Sequence, residues 1–587
     1  MSGSLLLRAV LTGALGLSLA ACASTPPVPP VSGLLNLSAG SVTGPVRTQQ
    51  GLVQGARGKV AGVTVFKNIP FAAAPVGDLR WKQPQPATAW QGVRDATRYG
   101  DVCMQNPAPQ RFPPNAATDT ENFTGMSEDC LTLNIWTPAK RAGEKLPVMV
   151  WLYGGAYTEG GGNAPFSEGD NLAAKGVVLV TFNYRVGPFG FFSHPELTAE
   201  GNGAAGNQGL GDAIAVFKWL KANVQAFGGD PDNITLFGES AGAAMNGGLV
   251  GAAGAKGTFE RAIAESGAWM GLGIGTMLPN HVEGAVLPPP SDAPPPPPGP
   301  ASFANQPPSA ELRGLANARQ IGAETLTELR ALPAAEVQQK LRGHGMIVDG
   351  RIITEDLSIT FEQGRQNPVD VLVGSNADEG SFAAGPPTTA DAWRAGAAQR
   401  WGAQLAELGL AAYPASTDAE AQAQAARPFT DTLSWHMRLF AEQQAKIGQA
   451  SWHYFFTHDP PYDEGQRDLG SAHTGEIPYV FDNLAAPRTF PGGSSLAKMA
   501  GNPREEAFAD QVSGYWVNFA RTGNPNGSGL PQWPAVKELG PNETMILDAD
   551  GSGKGPWIGE AKDRLYTAIY QERVARPLGI SAASGGD

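Results

Sequence analysis

Asn233-Ile234-Thr235-Leu236-Phe237-Gly238-Glu239-Ser240-Ala241-Gly242 is the stretch on which the reading turns. Its first five residues form a short β-prone run, and Gly238 to Gly242 is a G-x-S-x-G pentapeptide standing directly after it and before a probable helix. Small residues flank the serine because a strand that turns at once into a helix is strained and tight there, and the turn lifts Oγ clear of the sheet. The pentapeptide alone is common in glycine-rich chains, so its position after a strand is what gives it meaning. Ser240 is therefore the candidate nucleophile.

Outward from this point the chain alternates. Leu146 to Tyr153 and Val177 to Tyr184 are continuous apolar runs of the kind buried on both faces of a sheet. Ala213, Ile214, Phe217, Leu220 and Val224 recur at helical spacing across Asp212 to Ala226. Later strands are expected at Val369 to Gly374 and Ser451 to Phe456, while Gly51 to about Pro138 reads as short antiparallel pieces such as Val63 to Phe66. Alternating strand and helix predicts a mostly parallel sheet with helices on both faces. Leu287 to Pro308 is dominated by proline, which neither donates to a ladder nor continues a helix, so an exposed spacer is expected there.

Composition narrows the function. Of 587 residues 42% are hydrophobic and 17% charged, with 75 glycines and 49 prolines, which suits a globular enzyme rich in loops. A net charge of −13 and the lack of any basic run argue against binding nucleic acid. Arg8 precedes an apolar stretch from Ala9 to Ala21 too short to span a bilayer, which reads as an export signal. Leu19-Ala20-Ala21-Cys22 resembles a bacterial lipobox, so residues 1–22 are expected to be a signal peptide with Cys22 acylated, and 23–50 a flexible tether. Ala23 in place of aspartate points that anchor to the outer membrane; with no acylation, the chain would be periplasmic or secreted. The two other thiols, Cys103 and Cys130, are expected to pair in an exported chain, a link of about 3 to 4 kcal/mol.

A serine that attacks a carbonyl needs donors for the oxyanion and a base for its proton. Tyr153-Gly154-Gly155-Ala156-Tyr157 offers backbone donors at a strand end, with the N–H of Ala241 completing them. The base should follow an acid, which should follow the serine. His344, His436, His453, His458 and His473 all lie downstream; His436 reads as helical and His453 as a strand residue, leaving His473 in a small-residue loop and His458 as its competitor. The acid lies in Asn376-Ala377-Asp378-Glu379-Gly380, where spacing does not choose between Asp378 and Glu379.

These segments together resemble the type-B carboxylesterases, relatives of cholinesterases and of bacterial para-nitrobenzyl esterases. The resemblance runs from about Gly51 to past Trp533 and includes Ser127-Glu128-Asp129-Cys130-Leu131, Asn183-Tyr184-Arg185, Gly206-Asn207-Gln208-Gly209, Phe227-Gly228-Gly229-Asp230-Pro231, the Ser240 pentapeptide, Asp378-Glu379-Gly380, His473-Thr474-Gly475-Glu476 and Asn518-Phe519-Ala520. It implies an α/β-hydrolase fold, a single domain over 51–570 with a flexible tail at 571–587, and hydrolysis of a small-molecule carboxylic ester with no cofactor or metal. By the same resemblance Glu379 is the acid, His473 the base, Gly154, Gly155 and Ala241 the oxyanion donors, Glu239 and Ser266 support the site, and Cys103 pairs with Cys130. A lipase or amidase on the same triad, or a cholinesterase-like adhesion protein, would share the fold. Where the family usually has histidine this chain has Tyr153, and it has Ala156 and Tyr157 where glycine or alanine and then phenylalanine are usual. Such changes spare the backbone donors and alter the hydrogen bonding behind them.

Overall fold

The structure, a computed structural model, describes residues 42–106, 122–267, 273–287, 307–381, 387–486 and 499–580. The signal and acylation site proposed for residues 1–22, and most of the proline-rich segment, lie outside the described residues.

Among the described residues eleven strands form one sheet. In chain order they are β1 (Ala56–Arg57), β2 (Thr64–Pro70), β3 (Thr132–Thr137), β4 (Leu146–Leu152), β5 (Val178–Phe182), β6 (Gly229–Glu239), β7 (Arg261–Glu265), β8 (Asp370–Asn376), β9 (Ser451–Phe456), β10 (Glu543–Leu547) and β11 (Gly553–Pro556). Across the sheet the order is β11-β10-β9-β8-β7-β6-β4-β5-β3-β2-β1. The run from β10 to β5 is parallel, and the remaining strands at both edges pair antiparallel. The expected mostly parallel sheet with an antiparallel entry is what the chain forms. Its middle is dry: Val148, Val150, Val178, Val180, Leu236 and Ile263 are fully buried, as β-branched and aliphatic side chains require when both faces are covered.

Helices supply that cover. Gln208–Asn223 (α1) and Ala241–Gly251 (α2) flank β6 in the chain, and Arg427–Lys446 (α3) and Pro503–Thr522 (α4) pack on the later strands. Alternation along β8 and β9 shows that α3 and α4 take opposite faces. Ser375 meets Ser434 of α3 at 2.6 Å between hydroxyls, whereas Trp452 and Tyr454, on the other face, pack on Phe519 and Trp516 of α4.

The folded unit reaches further than the sequence suggests at both ends. Within the expected tether, Val46–Arg47 pairs antiparallel with Leu52–Gln54, and Val42 and Val46 are buried. At the expected tail, helix Glu560–Tyr570 continues through a π-helical turn, Gln571–Ala575, which buries Val574 and Ala575 completely. Both corrections have one cause: a few apolar residues in otherwise polar segments find a place in the core, and burial outweighs local composition. Cys103 and Cys130 are joined, with Sγ atoms 2.11 Å apart.

Candidate active site

Ser240 occupies the corner between β6 and α2 with φ 55° and ψ −122°, a conformation that few non-glycine residues adopt. The turn is close against the end of β4. A Cβ on Gly238 would lie 2.5 Å from the Leu152 carbonyl oxygen, and one on Gly242 only 2.1 Å from the same atom. Glycine is required on both sides because the neighbouring backbone fills the space a side chain would need. The Ser240 N–H donates to the Glu265 carbonyl at 2.9 Å, tying the corner to β7.

Two loops beyond β8 and β9 bring the other groups. His473 Nε2 lies 2.9 Å from Ser240 Oγ, and His473 Nδ1 lies 2.5 Å from Glu379 Oε2. The second Glu379 oxygen accepts from the Asn376 N–H at 2.7 Å, which fixes a fully buried carboxylate by its own backbone. Asp378, the alternative acid, is turned away: its carboxylate pairs with Arg427 at 3.1 Å and accepts from the Ser471 N–H at 3.3 Å. With the Asp378 N–H donating to Ser471 at 3.0 Å, and Asn376 Nδ2 to Ala472 at 2.8 Å, it fastens the histidine loop to the acid loop.

The other histidines are employed elsewhere. His458 Nε2 contacts Glu505 at 2.9 Å and the Tyr479 hydroxyl at 3.0 Å in the core. His453 Nδ1 pairs with Thr544 at 2.8 Å, and His436 lies buried in α3. His344 lines a cavity beside the site.

Glu239 adds a second carboxylate to the histidine, its Oε1 3.1 Å from His473 Nε2. Burial of the imidazole by itself lowers its pKa, but Glu239 and then Glu379 more than offset this and raise it to about 9. The two neighbouring acids Glu265 and Glu476 are also shifted upward, which for a carboxyl favours the neutral form. Burial raises both, Glu476 to about 7, with nearby carboxylates adding to the shift.

Gly154 follows β4 so closely that a Cβ there would come within 3.0 Å of Ser240 Cβ. Gly155, Ala156 and Tyr157 all have positive φ, which curls the loop over the serine. The N–H groups of Gly154, Gly155 and Ala241 donate to no atom among the described residues. Behind the loop, Tyr153 and Tyr184 stack at 4.2 Å and exchange three hydrogen bonds: Tyr153 OH donates to the Tyr184 carbonyl (2.9 Å), the Tyr184 N–H donates to Tyr153 Oη (3.1 Å), and Tyr184 OH donates to the Tyr153 carbonyl (2.7 Å). Tyr184 was visible in the sequence as part of Asn183-Tyr184-Arg185, yet nothing local to it announced this partner. Ser266 is buried with φ 57°; it donates its N–H to the Gly374 carbonyl at 2.9 Å, and its Oγ has no partner among the described residues. Among the described residues no cluster of three or more His, Cys, Asp or Glu is placed to hold a metal.

Comparison with known proteins agrees with this architecture. The sequence pattern of the carboxylesterase family matches residues 43–276 and 316–568. The chain is 36% identical to the fumonisin B1 esterase of Sphingopyxis macrogoltabida, covering 88% of each, and 32% identical to the para-nitrobenzyl esterase of Bacillus subtilis, covering 89% of this chain and 98% of that one. Among solved structures, a carboxylesterase of Geobacillus stearothermophilus superposes with a TM-score of 0.69 at 30% identity, over 90% of this chain and all of that one. Matched through both halves of the sheet, with esterases aligned along nearly nine-tenths of its length, this chain belongs to the carboxylesterase family and is a hydrolase of carboxylic esters.

Proposed function

We propose that the ester is cleaved in two steps through an acyl-enzyme on Ser240. His473 Nε2 accepts the hydroxyl proton as Oγ attacks the ester carbonyl carbon, and the protonated ring then gives that proton to the leaving alcohol. Water then attacks the acyl carbon as His473 takes its proton, the bond from that carbon to Oγ breaks, and the ring returns the proton to Ser240 as the acid departs. Glu379 holds the imidazole with Nε2 toward the serine, and the protonated ring lies between two carboxylates, Glu379 and Glu239. Gly154, Gly155 and Ala241 aim their unused N–H groups at the oxyanion, where loss of one such donor typically costs about 3 to 4 kcal/mol. The observation that carries this reading is the unbroken line from Glu379 through His473 to Ser240, at 2.5 and 2.9 Å.

The same reading assigns Cys22 as a lipid anchor in an exported protein and the Cys103–Cys130 link as suited to an oxidising compartment. Mass spectrometry of the mature N-terminus tests the anchor: acylated Cys22 is expected, and an unmodified residue elsewhere would sink it. For the chemistry, para-nitrophenyl acetate, butyrate and palmitate are offered to the parent and to Ser240→Ala. Short-chain turnover that disappears in the variant is expected. Equal activity in the two proteins would remove Ser240 from the mechanism, and preference for palmitate would make the enzyme a lipase.

A further inference from the structure

A cavity of about 580 Å³ opens beside the oxyanion loop, bordered by Ala156 and Tyr157 and by Ala244, one helical turn beyond the nucleophile. Its walls are largely apolar, with Phe191, Met277, Leu278 and Met346 among them. Arg313, His344 and Asp356 interrupt this lining, beside the hydroxyl groups of Tyr157, Thr158, Thr276 and Ser358. Their situations differ. Asp356 is already engaged, accepting from the N–H groups of Ser358 (3.0 Å), Gly275 (3.1 Å) and Met277 (3.3 Å). His344 has its Nε2 buried without a partner among the described residues, and burial together with the nearby Arg313 cation lowers its pKa to about 4, so the ring is neutral at ordinary pH. Arg313 donates from Nε to the Pro307 carbonyl at 3.0 Å; its two terminal nitrogens meet no acceptor and no carboxylate among the described residues.

The Arg313 guanidinium is partly buried, and no carboxylate among the described residues offsets its partial desolvation. Its fork of donors matches a carboxylate bidentately, and low-dielectric walls strengthen that attraction. Arg313 also lies where this chain departs from its family, because the family pattern stops at residue 276 and resumes at 316. The helix that presents it, Ala310–Gln320, begins just after the proline-rich segment.

We propose that this cavity selects esters bearing a carboxylate in addition to the scissile ester, with Arg313 as the residue that sets this specificity. The proposal rests on Ser240 being the nucleophile. Two matched pairs of esters test it. Mono-4-nitrophenyl adipate against 4-nitrophenyl hexanoate places the charge on the acyl side, and 4-butyryloxybenzoate against its methyl ester places it on the alcohol side. For at least one pair the parent enzyme is expected to show kcat/KM about tenfold or more higher toward the anionic member. Arg313→Gln should erase that preference while leaving the neutral member within about twofold, and Arg313→Lys should restore part of it. Equal rates within both pairs, or an Arg313→Gln variant that slows charged and neutral esters alike, would overturn the assignment. A parent protein inert toward all four would instead overturn the Ser240 reading, and this proposal with it.

Discussion

His458 and His473 stand fifteen positions apart in one loop-rich stretch, both buried, each with one ring nitrogen against a buried glutamate. His458 contacts Glu505 at 2.9 Å with the same nitrogen that meets the Tyr479 hydroxyl, and its Nδ1 is buried without a partner among the described residues. His473 gives Nδ1 to Glu379 and keeps Nε2 for Ser240. A carboxylate beside an imidazole is therefore no mark of chemistry. What distinguishes the two is whether the second nitrogen faces a reactive group at an accessible edge or a closed wall.

That contrast is broken most severely by exchanging the histidines' fates. His473→Ala is expected to lower kcat by about 10⁴- to 10⁶-fold, the range seen when one member of such a unit is removed. His458→Gln should leave kcat/KM of the folded protein near the parent value and instead lower unfolding stability by about 1 to 3 kcal/mol, since it strands buried polar partners. Urea titration and steady-state kinetics on both variants separate these results, and a His458→Gln protein that folds normally yet is inactive would defeat the comparison. Next in size is Glu379→Gln, expected to cost about 10³- to 10⁴-fold in kcat by misorienting the ring.

A subtler test concerns pH. Carboxylates raise His473 to about 9, and only the neutral ring can act as base, so kcat/KM should climb as pH rises through that value. Glu239→Gln removes one of the charges that favour the cation, so the limb should move to lower pH, toward 6.5. A limb that stays in place would show that Glu239 does not act on the ring. Smallest is Tyr153→Phe, which deletes two of the three bonds behind the oxyanion loop. It should lose about 1 to 3 kcal/mol of stability and lower kcat by no more than about tenfold, measured by thermal melts beside turnover.

How much of this could be read from the chain follows from how local each determinant is. The strand-turn-helix at Ser240 is written in adjacent residues, and Val148, Val150, Val178 and Val180 declare a doubly covered sheet by their run alone. The choice of Glu379 over Asp378 is not local. Asp378 is drawn off by Arg427, almost fifty positions later, and only the family resemblance could stand in for that contact. Tyr153 and Tyr184 meet because β4 and β5 are parallel neighbours, which the sequence of either strand leaves unsaid. Likewise Val574 and Ala575 lie in a polar terminal segment whose burial depends on a surface built elsewhere.

The order of strands also bears on how the enzyme comes into being. From β6 to β10 spatial neighbours follow chain order, so a chain emerging from its N-terminus can extend the sheet by one strand at a time. The serine corner is complete early, but His473, whose Nε2 meets Ser240, is 233 positions further on, after β9, and the Trp516 indole that holds Glu265 beside the serine corner is later still. Nascent chains thus carry the Ser240 corner before His473 and Glu379 exist to meet it. Any activity that needs all three groups therefore waits until nearly the whole polypeptide has been made.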